Sequence, residues 1–416
     1  MSKPFNAIQI SQIASEFGTP CWAYDAQHIR AQIAQLRQFD VIRFAQKACS
    51  NIHILRLMRE EGVLVDSVSL GEIERALIAG YAPDETAQHA PIVFTADLLD
   101  HATLQRVVEL KIPVNCGSCD MLEQLGASGL AHPVWLRINP GFGHGHSHKT
   151  NTGGEQSKHG IWHADFDKAL EIIARTGLKL VGLHMHIGSG VDYAHLQQVC
   201  DAMLRQVKLC TLDLDAISIG GGLSIPYQED DGSVDTAHYF SIWQQAKLEI
   251  ERHLGHKISM EIEPGRFLVA QSGILISELR AQKQVGGNFF ALVDAGFNDL
   301  VRPSMYGSFH RISAHQRDGQ LRAISANSAR ATVVAGPLCE SGDVFTQEEG
   351  GIVSHQDLPV CEIGDLFVFH DTGAYGASMS SNYNSRPLIP EILIDGEDIR
   401  LIRRRQNISE LIALEL

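Results

Sequence analysis

Between residues 26 and 270 the chain alternates short β-branched runs with amphipathic helical stretches, about eight times over. Asp25 is placed to cap a helix whose apolar residues Ile29, Ile33 and Leu36 share one face. A strand over 41–45 follows, then a helical segment carrying Ile54, Leu55 and Met58, then the apolar run Val63-Leu64-Val65. Ser69 and Glu72 form a capping box that opens the next helix, which stops near Gly80. Further strands are expected over 92–94, 112–115, 134–138, 180–187, 216–219 and 258–262, with helices over 97–109, 165–176, 195–209 and 238–253. Eight such units in roughly 240 residues match a TIM-type (β/α)8 barrel. Because alternation does not show closure, a doubly wound open sheet stands as the alternative.

After residue 270 the texture changes. Runs over 273–279, 289–294, 331–335, 365–370 and 391–394 read as strands, broken by turn signals such as Gly286-Gly287 and Asp395-Gly396. Helices are nearly absent until 409–414. The expected organisation is a barrel over 26–270 and a β-rich domain formed by 1–25 plus 271–416. The stretch 140–160, rich in Gly, His and Asn, is a long loop and is read as an active-site flap, with Asn151, Lys158 and His159 as contact candidates.

Composition narrows the functional classes. Thirty-four Lys plus Arg against 49 Asp plus Glu leave a net charge of −15, the wrong sign for a nucleic-acid backbone. A few local arginines would still suffice for a small anion. The eight cysteines are scattered, and no apolar run reaches the ~18 residues of a membrane span. The start has no leader-like pattern. A reduced, cytoplasmic protein is expected.

Reactive side chains fall just after the expected barrel strands, the end where (β/α)8 active sites form. They are Lys47, Asp66 and Ser67, Asn139, His184 and His186, Gly220-Gly221-Gly222, and Glu263-Pro264-Gly265-Arg266. A lysine closing an apolar strand would be desolvated and suited to Schiff-base chemistry, although Lys47 would serve equally as a side chain reaching out of the barrel mouth. The glycine triplet lets amides approach an anion, or forms a plain loop; it lacks the dinucleotide G-x-G-x-x-G spacing. Glu263 would hold a proton on a heterocyclic nitrogen, or else pair with Arg266. His184 and His186 on one strand face, and the loop histidines 144, 146 and 148, look like metal ligands. No carboxylate or cysteine set completes a shell, so no metal is expected.

Taken in order, these motifs resemble those of the bacterial diaminopimelate decarboxylases, pyridoxal-phosphate enzymes of the alanine racemase-like fold. The resemblance runs from Pro20-Cys21-Trp22-Ala23-Tyr24-Asp25 to Leu401-Ile402-Arg403-Arg404-Arg405. It rests on Phe44-Ala45-Gln46-Lys47-Ala48, Asp66-Ser67-Val68-Ser69, His184-Met185-His186-Ile187-Gly188-Ser189, the triple glycine, Glu263-Pro264-Gly265-Arg266, Cys339-Glu340-Ser341-Gly342-Asp343, Tyr375 and Ser381-Asn382-Tyr383-Asn384. It implies decarboxylation of meso-2,6-diaminopimelate to L-lysine and CO2, the last step of lysine biosynthesis. The alternatives are decarboxylation of another basic amino acid such as ornithine, lysine or a carboxylated polyamine, or an amino-acid racemase pairing Lys47 with a tyrosine. A pyridoxal-binding carrier is disfavoured by the second domain.

By the same resemblance, Lys47 would attach the cofactor, His186 would stack on its ring and Glu263 would pair with the ring nitrogen. Ser189, Gly220, Gly221, Gly222, Pro264, Gly265, Arg266 and Tyr375 would bind the cofactor. Arg266, Arg302, Tyr306, Glu340 and Tyr375 would hold the substrate, and Cys339, reaching in from the partner of a homodimer, would return a proton.

Overall fold

The computed structural model describes residues 5–84, 87–143, 153–186, 188, 192–324 and 329–416. The chain forms two compact units: one takes in residues 32–224 and 233–267, the other residues 1–31, 225–232 and 268–416. The first strand, β1 (Cys21–Asp25), belongs to the second unit although it opens the chain.

The first unit is a closed parallel barrel. Its eight strands are β2 (Val41–Ala45), β3 (Leu64–Ser67), β4 (Ile92–Ala96), β5 (Val114–Cys116), β6 (Pro133–Asn139), then, after the short outlying β7 (Ile161–Trp162), β8 (Lys179–His184), β9 (Ala216–Ser218) and β10 (Ser259–Ile262). Each pairs in parallel with its neighbours, and closure comes from β10 against β2, with Glu261 opposite Val41. That decides the topology in favour of the barrel over the open sheet. Expected helix bounds moved by a few residues, as with the helix expected over 97–109, which spans His101–Glu109 with Asp100 as its cap. Parallel strands with both faces covered read as near-continuous apolar runs, which is why they were visible in sequence.

One ion pair lies inside this apolar shell. Arg43 Nε and Nη2 donate to the two oxygens of Glu261 at 3.0 and 3.2 Å, and its Nη1 donates to the carbonyl of Ala90 at 2.9 Å. Both side chains are buried. The fork geometry satisfies charges that would otherwise be prohibitive there.

The second unit is a mixed sheet centred on β11 (Gly273–Val285), longer than the strand expected over 273–279. Its first half lies between β1 and β16 (Leu366–Phe369), and its second half pairs with β12 (Asn288–Val293). The other strands are β13 (Ile312–His315), β14 (Arg330–Ala335), β15 (Gln356–Leu358), β17 (Glu391–Asp395) and β18 (Asp398–Arg403). β1 runs parallel to β17, so this sheet is not purely antiparallel. Ile10 and Ile13 of the N-terminal helix Ala7–Phe17 pack on Ile274, Ile276, Val368, Ile392 and Ile394. Asn6 and Gln9 close that helix start with a capping box. Among the described residues no helix is long and apolar enough to cross a membrane.

Candidate active site

The parallel strands bring the expected residues to one rim. Lys47 sits on the turn Gln46–Ala48 directly after β2, Asp66 and Ser67 end β3, Asn139 ends β6, His184 ends β8, and the glycines and Glu263 follow β9 and β10. Lys47 is exposed, not desolvated as its place after an apolar strand suggested, because the turn lifts it off the strand end.

Glu263 is the centre of the rim. His184 Nε2 lies 2.9 Å from its Oε2, and the Ser218 hydroxyl donates to Oε1 at 2.7 Å. Burial alone would raise this carboxyl, but His184, Ser218 and Arg43 outweigh it and hold the group below the usual carboxylate range. Asp66 moves the other way: burial and then the neighbouring Glu263 charge push it well above its ordinary value. The two neighbouring carboxyls are thus driven in opposite directions, Glu263 down and Asp66 up. Asp66 Oδ1 and His184 Nδ1 are buried without a hydrogen-bond partner among the described residues.

Two expectations are corrected by this geometry. Glu263 pairs with His184 and Ser218 and not with Arg266. And β8 stops at His184, so His184 and His186 are not a same-face pair on one strand. His184 turns to the carboxylate while His186 lies beyond the strand end. Desolvation, followed by the charges of Arg137 and Lys47, holds the His186 imidazole well below its usual value, so its ring is neutral.

The triplet leaves no room for side chains. Gly220 and Gly222 have φ of +66° and +99°. A methyl group on Gly220 would lie 2.6 Å from His186 Cβ, one on Gly221 2.4 Å from the Glu263 carbonyl, and one on Gly222 2.5 Å from the Gly188 carbonyl. Backbone, not side chain, therefore faces this part of the rim.

The described ends of the loop over 140–160 are tied down. Asn139 Nδ2 donates to the carbonyls of Gly154 and His159, and its Oδ1 accepts from the amides of Gly141 and Gly154. His159 contacts Asp97, and Arg137 Nη1 lies 3.5 Å from the same ring nitrogen. Lys158 is exposed. Ser189, Asn151 and the histidines at 144, 146 and 148 lie outside the described residues. Arg137 and Ser218 were missed from sequence. An arginine inside the apolar run Val134–Ile138 was an available signal for the first; nothing marked the second.

The remaining expected residues belong to the β-rich unit. Arg302, buried, opens the short helix Arg302–Tyr306, and Tyr306 is half-buried. Cys339 is the one exposed thiol of the eight cysteines, all free. By contrast burial pushes the Cys21 thiol up to about 12 and the Cys361 thiol to about 11. The Cys339 amide donates to Asn384 Oδ1 at 2.9 Å, and the Tyr383 hydroxyl reaches the neighbouring Glu340 carboxylate at 3.4 Å. Tyr375 holds a left-handed φ of +59°, a strained conformation for a bulky residue that tends to mark functional segments.

This rim has the donor set a pyridoxal group needs: an exposed primary amine, a buried anion, a neutral imidazole and a glycine backbone. Residues 26–270 match the family described as pyridoxal-dependent decarboxylase, pyridoxal binding domain. The chain is 66% identical to the diaminopimelate decarboxylase of Escherichia coli K12 over 99% of its own length and 97% of that protein's. A crystal structure of a diaminopimelate decarboxylase superposes with a TM-score of 0.96 at 65% identity, covering 100% of this chain and 98% of that one. The Helicobacter pylori diaminopimelate decarboxylase, solved in complex with L-lysine, gives 0.82 at 30% identity, covering 97% of this chain and 98% of that one. Its barrel, its rim and its sequence together place this chain in the diaminopimelate decarboxylase family of pyridoxal-dependent decarboxylases.

Proposed function

We propose that this chain removes CO2 from meso-2,6-diaminopimelate to give L-lysine, using pyridoxal 5'-phosphate, as the last step of lysine biosynthesis. The observation that carries the proposal is the buried Glu263 carboxylate, kept ionised by His184 and Ser218 beside a neutral His186. When bound, the cofactor supplies an electron sink for the pair left behind as CO2 departs.

The chain's residues supply the rest. Lys47 would hold the cofactor covalently through its Nζ, and Glu263 would keep a proton on the ring nitrogen. His186, uncharged, would stand beside the ring without competing with that positive charge. Amides of Gly220, Gly221, Gly222 and Gly265, with Ser189 and Tyr375, would take the phosphate. Pro264 fixes the backbone at that turn. Diaminopimelate is an amino acid at both ends, so the end that does not react needs a clamp. Arg266, Arg302 and Tyr306 suit its carboxylate, and Glu340 suits its ammonium. Cys339 of the partner subunit in a homodimer returns the proton to the carbon that lost CO2. A known lysine/ornithine decarboxylase is only 18% identical and shares the fold alone, so decarboxylation of another basic amino acid has no specific support.

The test is product analysis on the purified, cofactor-loaded protein. One CO2 and one L-lysine per meso-diaminopimelate are expected, with L-ornithine and L-lysine left untouched. CO2 from ornithine but not from diaminopimelate would reject the substrate, and epimerised diaminopimelate without CO2 would reject the reaction.

A further inference from the structure

We infer that His310 is a positioning residue that holds Arg302 in register for a ligand carboxylate. This inference rests on the reading of Arg302 as the clamp at the non-reacting end of the substrate. Arg302 Nη1 lies 2.9 Å from His310 Nε2 and donates to the Tyr227 hydroxyl at 3.2 Å. The guanidinium carbon also sits 5.1 Å from the centre of the Tyr227 ring, and that ring meets His310 edge to face at 5.5 Å. Arg302 and His310 are 6% and 3% exposed, so neither is a surface side chain free to swing.

The hydrogen bonds fix the form of the imidazole. His310 Nδ1 lies 2.9 Å from the backbone carbonyl of His370. A carbonyl only accepts, so Nδ1 carries the hydrogen. A neutral ring then leaves a lone pair on Nε2, and the guanidinium N–H donates into it. A protonated ring would set N–H against N–H and place two positive charges about 3 Å apart in a buried site. His310 is therefore neutral and acts as an acceptor for a cation, an uncommon task for a histidine but one this geometry requires.

The ring's own backbone is fixed from neighbouring strands. Gln356 of β15 donates to the His310 carbonyl at 2.8 Å, and the His370 amide donates to the Arg311 carbonyl at 2.9 Å. Ser313 of β13 bonds both His370 Nε2 and His315 Nε2, at 2.7 and 2.9 Å. The carbonyl that sets the tautomer is thus itself held in place. Arginine loses much rotamer freedom when ordered, so an arginine ordered in advance binds a carboxylate more tightly.

The experiment is steady-state kinetics of the cofactor-loaded enzyme with meso-diaminopimelate. The variants are Arg302→Ala, His310→Leu, His310→Asn and His310→Gln. Asn retains a donor for the His370 carbonyl but falls short of Arg302, whereas the longer Gln amide carries an oxygen to the Nε2 position. Expected are KM values raised about tenfold or more in Leu and Asn, kcat within about twofold of wild type, and most of the loss recovered in Gln. A structural role alone would not separate Asn from Gln in this way. If Arg302→Ala raises KM while His310→Asn and His310→Leu do not, the positioning role is wrong. If Arg302→Ala leaves KM unchanged, the reading of Arg302 as the clamp falls instead. Should His310→Leu fail to fold, the Asn and Gln pair decides alone.

Discussion

The barrel rim and the chemistry-bearing segments of the β-rich unit are built on opposite plans. At the rim, Glu263, Asp66 and His184 are buried, Glu263 and His184 are hydrogen-bonded to each other, and the strand ends that carry them are locked in one parallel register. In the β-rich unit, Cys339 and Glu340 are exposed on an irregular segment, joined to their surroundings by Asn384 and Tyr383. Arg302, by contrast, has a buried, pre-set environment there. The difference teaches where rigidity is needed: the electron sink must be held to a fraction of an ångström. Under the proposed function, a thiol acting on a neighbouring subunit would have to reach outward, as the exposed Cys339 does.

Four substitutions would sharpen or break that contrast. Lys47→Ala has the largest expected effect, loss of at least about 10³-fold in kcat, read as CO2 release. Cys339→Ala is expected to lower kcat by about 10²- to 10³-fold while leaving the lysine-bound cofactor absorbance intact. An unaltered rate would remove the β-rich unit from the chemistry altogether. Arg43→Met removes the fork that pairs the buried Glu261 and leaves it only His89, 3.8 Å away. It should cost about 3–5 kcal/mol in chemical denaturation, with much of this recovered when Glu261→Leu is added.

Asp371→Asn should have the smallest effect and tests the β-rich unit's electrostatics. Burial raises Asp371 to about 6, above its unfolded value. Its contribution is therefore fully present below the unfolded pKa and is lost as pH rises through about 6. The asparagine variant, which tolerates the φ of +57° at this position, should match wild type near pH 4. Above pH 7 it should melt roughly 2–4 °C higher. Identical pH dependence of Tm in both proteins would contradict this.

The barrel was legible because each strand is buried on both faces, so apolar runs mark the units, and the cap Ser69 marks one helix start. The rim residues followed from their position at strand ends, without any knowledge of relatives. What sequence did not show was partner choice. Nothing in Glu263-Pro264-Gly265-Arg266 says that the acid turns to His184 and Ser218, residues 79 and 45 positions away. Nor does a histidine eight residues after Arg302 announce that it orders that side chain. In the β-rich unit Cys339 looks like any other cysteine; its role came through the resemblance of Cys339-Glu340-Ser341-Gly342-Asp343 alone.

The most direct measurement of the central claim is CO2 and L-lysine release from meso-diaminopimelate by wild-type and Glu263→Gln protein loaded with pyridoxal 5'-phosphate. Equimolar products from the wild type are expected. In the variant the rate should fall about 10²- to 10³-fold while Lys47 still binds the cofactor. Wild-type turnover in Glu263→Gln would contradict the assignment of the buried carboxylate as the group that keeps the electron sink charged.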